Sequence, residues 1–291
     1  MILEQFKSII KTLLTVLYIG GLSLYSAVRG LYLRVFSLSE PGGVYRGKIT
    51  ELRNNGCVVF ESYYSSEEVE EMKVIAENYM QDEYGDYDHV NQMSYFRRPL
   101  DGQESDGGVF RMFGFNEIDL RPASFFTDPV LKEIIEKAFH TKIVSHAALL
   151  QKNQPVGSET RGFHVDMYAP KQFKAFLFLT DVVDERHGPL AIIKQSHKWH
   201  VRRYANFVRR GLRNLTDVSS FDDLNDRELS AAQLFTVKKG TVVIASQQAV
   251  HRGWPLQVGP RYVMVNYFVE KLSQSTPGYH INRRIGYRYS T

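Results

Sequence analysis

From residue 142 onward the chain stops reading as helix and becomes a train of short β-type runs. Ile143 to Leu150, Phe173 to Leu179, Leu190 to Ile193, Leu234 to Val237, Thr241 to Ala245 and Tyr262 to Val269 are rich in β-branched and aromatic residues, and Gly, Pro, Asp and Asn punctuate the gaps. Upstream the signals are mostly helical. Ser65 with Glu68 three residues on makes a capping box, and Val69, Met72, Ile75, Ala76 and Tyr79 come after it at helical spacing. Asp128-Pro129 supplies an N-cap and a first-turn proline for a second helix carrying Val130, Leu131, Ile134, Ile135 and Ala138. A short strand, Cys57 to Phe60, precedes both, and the stretch Tyr84 to Gly114 lacks any sustained period, as a long loop or lid would. Helices first and many short strands later predict an α+β fold whose main body is a β-sandwich or barrel.

The 291 residues, 43% of them apolar, can fill a substantial core. Cys57 is the single cysteine, so neither an internal disulfide nor a thiolate metal cluster is available. A site built from histidines and carboxylates remains open. A net charge of +4 gives no reason to expect a nucleic-acid partner, although basic residues cluster in Lys198 to Arg213 and in Arg283, Arg284 and Arg288. Solvated basic faces are one reading of those clusters, and contact with an anionic substrate or membrane surface the other.

Residues 12–28 carry no charge, and Lys7, Lys11, Arg29 and Arg34 flank them. Such a segment is a candidate membrane anchor at the short end of the roughly 17 to 25 residues a span requires, with a packing helix or cleaved signal as alternatives. The pattern divides the chain into an apolar N-terminal helix (1–38), a linker (39–48) containing Pro41-Gly42-Gly43, a main domain (49–272) and a basic, aromatic tail (273–291).

Phe163-His164-Val165-Asp166 carries the first chemical signal. On an extended strand the His164 and Asp166 side chains point to one face and can converge on one ion. With nine histidines in the chain such a pair arises by chance about once, so alone it decides little. His251 comes just after the strand Thr241 to Ala245, where a jelly roll can set it opposite the pair. Two histidines and a carboxylate on one side of an ion form a facial triad suited to Fe(II), with three positions open. Arg261 opens the next strand, and its guanidinium can grip a carboxylate through two parallel hydrogen bonds.

These residues resemble the phytanoyl-CoA dioxygenase family of Fe(II)- and 2-oxoglutarate-dependent oxygenases. The resemblance is carried by His164-Val165-Asp166, by His251 with Arg261 ten positions on, and by the run from Phe176 through Gly188-Pro189-Leu190 to Ser196-His197. Gln195 stands where the family's Gly-Ser-His turn usually begins. Asn55-Gly56-Cys57-Val58-Val59 and Ser65-Ser66-Glu67-Glu68-Val69 are similar to the family's first strand and helix, so the likeness covers about residue 50 to about 270.

The resemblance implies a double-stranded β-helix, a form of jelly roll, with flanking helices. It implies His164, Asp166 and His251 as metal ligands, Arg261 on the distal carboxylate of 2-oxoglutarate, and Gln151 or Lys152 as a further polar contact to that co-substrate. Decarboxylation of 2-oxoglutarate by O2 to succinate, coupled to oxidation of a small-molecule substrate, is the implied reaction. Lipid-like and anionic compounds are both compatible with it. Halogenating relatives replace the carboxylate ligand with a small residue, so Asp166 favours hydroxylation. His187 and His197 fall in turns and are expected to be structural, core packing is the default for Tyr168, Trp254 and Tyr267, and Arg97, Arg98 and Arg111 are read as solvated loop charges. A non-catalytic jelly-roll binding protein and a cupin-like metal enzyme without a keto acid are the competing classes. The catalytic domain is expected in the cytoplasm, held at a membrane if residues 12–28 anchor it.

Overall fold

The alternation of side chains along each strand sorts the molecule into layers. The computed structural model describes residues 43–81, 96–97, 109–113, 123–155, 161–166, 171–213 and 219–271, together with Gly21. Apart from Gly21, the apolar segment 12–28 lies outside these residues, as do the tail 273–291 and Tyr168. Among the described residues no helix is long and apolar enough to cross a membrane.

In chain order the elements are α1 (Arg46–Asn55), β1 (Cys57–Phe60), α2 (Ser66–Gln81), β2 (Phe96–Arg97), β3 (Val109–Phe113), α3 (Ala123–Phe126), α4 (Pro129–Phe139), β4 (Ile143–Asn153), β5 (Gln172–Phe178), β6 (Leu190–Ile193), α5 (His200–Leu212), α6 (Asp226–Ser230), β7 (Ala232–Phe235), β8 (Val242–Ser246), β9 (His251–Gly253) and β10 (Arg261–Glu270). The strands form a seven-stranded sheet ordered β1-β8-β5-β10-β4-β3-β2 and a three-stranded sheet ordered β7-β6-β9. Every pairing is antiparallel.

Val263 and Val265 of β10, Phe178 of β5, Val243 and Ala245 of β8 and Leu149 of β4 point inward and meet Leu190, Ile192 and Phe235 of the smaller sheet. The alternate residues Tyr262, Met264, Ala175, Leu177, Val242 and Ile244 point outward, where Ile49, Leu52, Val69, Leu131, Ile134 and Ile135 cover them. Behind the smaller sheet a third cluster joins Phe163, Val165, Ala191, Ile193, Phe221 and Val250. The two sheets therefore enclose one apolar layer, with helices packed on the larger sheet, as the α+β expectation requires.

Local chemistry explains the helix ends. Ser65 and Glu68 bond reciprocally, side chain to backbone, at 2.8 and 3.2 Å, so the predicted capping box is present. Asp128 accepts from the Val130 and Leu131 amides at the start of α4. Arg53 of α1 donates to the Ala138 and Lys137 carbonyls at the end of α4, which satisfies two acceptors that the helix leaves bare.

Several elements differ from expectation. Helix α1 takes up the last residues of the stretch read as a linker and ends at Gly56, whose φ of 80° suits a residue without a Cβ. The unpatterned stretch Tyr84 to Gly114 contributes β2 and β3, which extend the larger sheet beyond β4. Helix α5 turns its polar face inward: its buried residues are Arg203, Asn206, Phe207 and Arg210, while the apolar Val201, Ala205 and Leu212 are exposed. Its arginines are engaged by neighbouring groups, Arg203 and Arg210 buried and Arg202 and Arg209 partly exposed. Arg202 pairs with Asp223 and Glu228, Arg209 with Asp222 and Asp223, and Arg210 with Asp222.

Candidate metal centre

The segment holding His164 is stitched into the smaller sheet beside β9. The His164 amide donates to the His251 carbonyl and the His251 amide to the His164 carbonyl, both at 2.9 Å, so the two residues face each other as a cross-strand pair. Ile192, inward on β6, pairs with His251 and fixes which way the imidazole points. The Asp166 amide donates to the Gln247 carbonyl, just beyond the end of β8.

These backbone bonds bring three sequence-distant side chains together. His164, Asp166 and His251 each offer one atom that could hold a metal ion, and these atoms all lie within 4.8 Å of one another. The His164 Nε2 stands 3.2 Å from Asp166 Oδ1 and the His251 Nε2 stands 3.6 Å from Oδ2. Each imidazole turns its Nδ1 to a carbonyl oxygen, His164 to Gly162 at 2.8 Å and His251 to Ala249 at 2.9 Å. A carbonyl only accepts, so the proton sits on Nδ1 and the Nε2 lone pair of both rings faces the centre. Burial, and then the neighbouring His251, hold His164 below its usual pKa and keep it neutral. Burial would raise the Asp166 carboxyl, but the Lys174 ammonium and both histidines outweigh it and hold it well below the carboxylate range. A neutral imidazole at His164 and an ionised carboxylate at Asp166 are protonation states that metal binding needs. The donor set fits a divalent iron ion.

At the start of β10 the Arg261 side chain lies on the same inner face as Val263 and Val265. Arg261 is buried, with its Nε unsatisfied, and burial pulls its pKa down to about 10. It has no carboxylate partner among the described residues. A buried guanidinium in that condition fits the anionic end of a ligand. Across the strands, Arg261 pairs with Asn153. Gln151 donates to the Asn153 side chain at 2.8 Å, so β4 offers Gln151 and Asn153 on the inner face beside Arg261. Lys152 points the other way, and its ammonium lies 5.5 Å from the centroid of the Tyr262 ring.

Lys174 and Asn153 were not among the residues expected at the site. Lys174 occupies an inner position of β5, in file with Phe176 and Phe178, and its ammonium contacts Asp166 Oδ2 directly. A charged residue in an apolar file was the available signal. The turn histidines behave as expected: His187 bonds Asp184 at 2.8 Å, and His197 is buried, with its Nε2 toward the Arg53 carbonyl.

The two facing sheets and the His-Asp-His cluster at their edge define the architecture of a jelly-roll metal oxygenase. The model of the family described as phytanoyl-CoA dioxygenase matches residues 52–255, and the chain belongs to that family. Its cofactors are those of the family, Fe(II) with 2-oxoglutarate and O2. Similar solved structures include the non-heme α-ketoglutarate-dependent epimerase SnoN from nogalamycin biosynthesis, 14% identical over 77% of this chain and 82% of that one, with a TM-score of 0.56. The carbocyclase SnoK from the same biosynthesis is 14% identical over 83% and 91% of the two chains, with a TM-score of 0.56. HygX from Streptomyces hygroscopicus, solved with nickel and 2-oxoglutarate bound, is 13% identical over 79% and 89%, with a TM-score of 0.54. At such identities the likeness shows the shared fold. No curated protein sequence matched.

Proposed function

We propose that the chain hydroxylates a small-molecule substrate, with His164, Asp166 and His251 holding Fe(II) and Arg261 holding the distal carboxylate of 2-oxoglutarate. The convergence of three ligand atoms within 4.8 Å, with both Nδ1 atoms already engaged by carbonyls, carries the reading. Iron bound with 2-oxoglutarate and O2 supplies the oxidising power to break an unactivated C–H bond, releasing succinate and CO2.

The chain's own residues position and enclose. His164 and His251 are held by their carbonyls so that the imidazoles need not reorganise. Arg261 gives the co-substrate a fixed tail position, and Gln151 and Asn153 add polar contacts at that end. Phe178, Val263, Val265, Leu190 and Ile192 form a dry floor that limits water access. Asp166 keeps a carboxylate in the ligand set, which leaves no room for a halide and favours oxygen transfer. The unit 49–272 would act as the catalytic domain.

Anaerobic calorimetry should show Fe(II)-dependent binding of 2-oxoglutarate, and aerobic turnover should release succinate. The His164→Ala variant should lose that release entirely. Unchanged succinate formation by it, with Fe(II) supplied, would sink the assignment. The names epimerase and carbocyclase on two similar structures favour a second outcome on the same site, oxidation without net oxygen transfer. Labelled O2 separates the two, since succinate takes up one labelled atom in either case and hydroxylation alone places the other in the oxidised substrate.

A further inference from the structure

The larger sheet presents one cation to the metal cluster that the triad itself does not explain. Lys174 lies on the inner face of β5, between its cross-strand partners Tyr267 of β10 and Ala245 of β8. Its side chain is 12% exposed, its ammonium touches Asp166 Oδ2, and it lies 4.6 Å from the centroid of the Tyr267 ring. The other carboxylate oxygen, Oδ1, faces His164 Nε2 at 3.2 Å, with Arg161 more distant at 3.9 Å. Each oxygen of Asp166 thus faces one imidazole, Oδ2 having His251 Nε2 at 3.6 Å, but only Oδ2 is also engaged by a buried ammonium.

That division matters because a carboxylate can bind a cation through one oxygen or through both. A facial triad that donates three atoms leaves three positions, enough for a keto acid that chelates through two oxygens and for O2. If both oxygens of Asp166 bound the ion, one of those positions would close. On the metal assignment made above, we propose that Lys174 is a positioning residue that occupies Asp166 Oδ2 and so keeps Asp166 a one-oxygen ligand. The same ammonium repels a divalent ion. Its removal should therefore leave metal affinity unchanged or raise it while weakening the keto acid. A residue serving only to stabilise the sheet would produce no such split.

The test uses the full chain under anaerobic conditions. Wild type, Lys174→Met and Lys174→Arg are titrated by calorimetry with Mn(II), and the loaded proteins with 2-oxoglutarate. The Fe(II) forms are followed by the visible charge-transfer absorption that a chelated keto acid produces. Lys174→Met should bind Mn(II) at least as tightly as wild type, bind 2-oxoglutarate about tenfold or more weakly, a change of about 1.4 kcal/mol, and lose most of the absorption band. Lys174→Arg, which retains a cationic donor, should recover most of both. A Lys174→Met protein with wild-type affinity for 2-oxoglutarate and an unaltered band overturns the proposal, and so does one that has lost Mn(II) binding. Wild type that takes up Mn(II) but no 2-oxoglutarate sinks the functional assignment itself, and this proposal with it. If Lys174→Met does not fold, a crystal structure of the Mn(II)-loaded wild type decides. One Asp166 oxygen on the ion and the other on Lys174 supports the proposal, and both oxygens on the ion overturns it.

Discussion

Replacing Arg261 with methionine should make the ligand-free protein more stable and the co-substrate complex weaker. Burial alone pulls the guanidinium from an ordinary pKa of 12.5 to about 10. At 1.36 kcal/mol per tenfold change in acidity, that corresponds to about 3 kcal/mol of unfavourable charge burial, present at every pH below the folded value. Methionine keeps much of the apolar stem volume and removes the charge, so about 2 kcal/mol should return after some loss of packing. For a domain of this size that raises the melting temperature by roughly 5 °C. A dicarboxylate docked on Arg261 gains a charge-assisted pair in a buried setting, and truncating one partner of such a pair costs about 2 to 5 kcal/mol. The 2-oxoglutarate dissociation constant should therefore rise by roughly 30-fold or more. Thermal melts with Mn(II) alone and with Mn(II) plus 2-oxoglutarate read both effects: the variant should melt higher alone and shift little on adding the keto acid. An Arg261→Met protein that melts lower than wild type yet keeps its affinity for 2-oxoglutarate would refute the reasoning, since Arg261 would then be a structural cation.

Two further perturbations test the junction between α1 and the turn at Ser196–Lys198. A Cβ on Gly56 would sit 2.4 Å from His197 Nδ1 in a backbone with φ of 80°, so Gly56→Ala should lose about 3 kcal/mol in urea melts, from strain and overpacking together. Adding His197→Ala should relieve the steric part, and strictly additive losses would contradict the geometry. His197 is buried and pulled down to about 4, mainly by desolvation, whereas its unfolded value is near 6.5. The unfolded chain therefore binds the extra proton first as pH falls. The stability of the neutral ring is complete above about pH 6.5 and declines by up to about 1.4 kcal/mol per pH unit down to about pH 4. Comparing urea melts of wild type and His197→Gln across that window isolates this loss, and equal slopes for the two proteins count against it.

How legible each part was depended on whether its partner lay nearby in sequence. The β5, β6, β8 and β10 runs were readable because burial on both faces makes nearly every residue apolar, and the capping box at Ser65 was readable because its two members are three residues apart. Helix α5 was not, since its inward face is largely arginine and asparagine and the acids that pair with its arginines, Asp222, Asp223 and Glu228, come 12 to 26 positions later. At the metal cluster, the spacing of His164 and Asp166 gave a shared face, but only the hydrogen bonds to His251 and Gln247 create convergence. Gln151 and Lys152 were indistinguishable by type alone. Strand parity separates them, because β4 pairs Lys152 with the outward Tyr262 and Gln151 with the inward Val263.

On the proposed assignment, the charges on the inner face suit a dicarboxylate better than a neutral ketone. Asp166 is the negative group of the cluster, while Lys174 and Arg261 are buried cations on different strands, Lys174 contacting Asp166 and Arg261 lying at the start of β10. Adding a divalent ion at the triad increases the excess of positive charge in a poorly solvated space, which makes metal binding alone costly. A keto diacid brings two negative charges, one for the ion and one for Arg261, so its binding and the metal's should reinforce each other. Reciprocity requires that 2-oxoglutarate tighten Mn(II) binding by the same factor by which Mn(II) tightens 2-oxoglutarate. In Arg261→Met the coupling should persist, since it acts through the ion, while the affinity of the keto acid falls. Loss of both together would place Arg261 against the metal rather than against the far carboxylate.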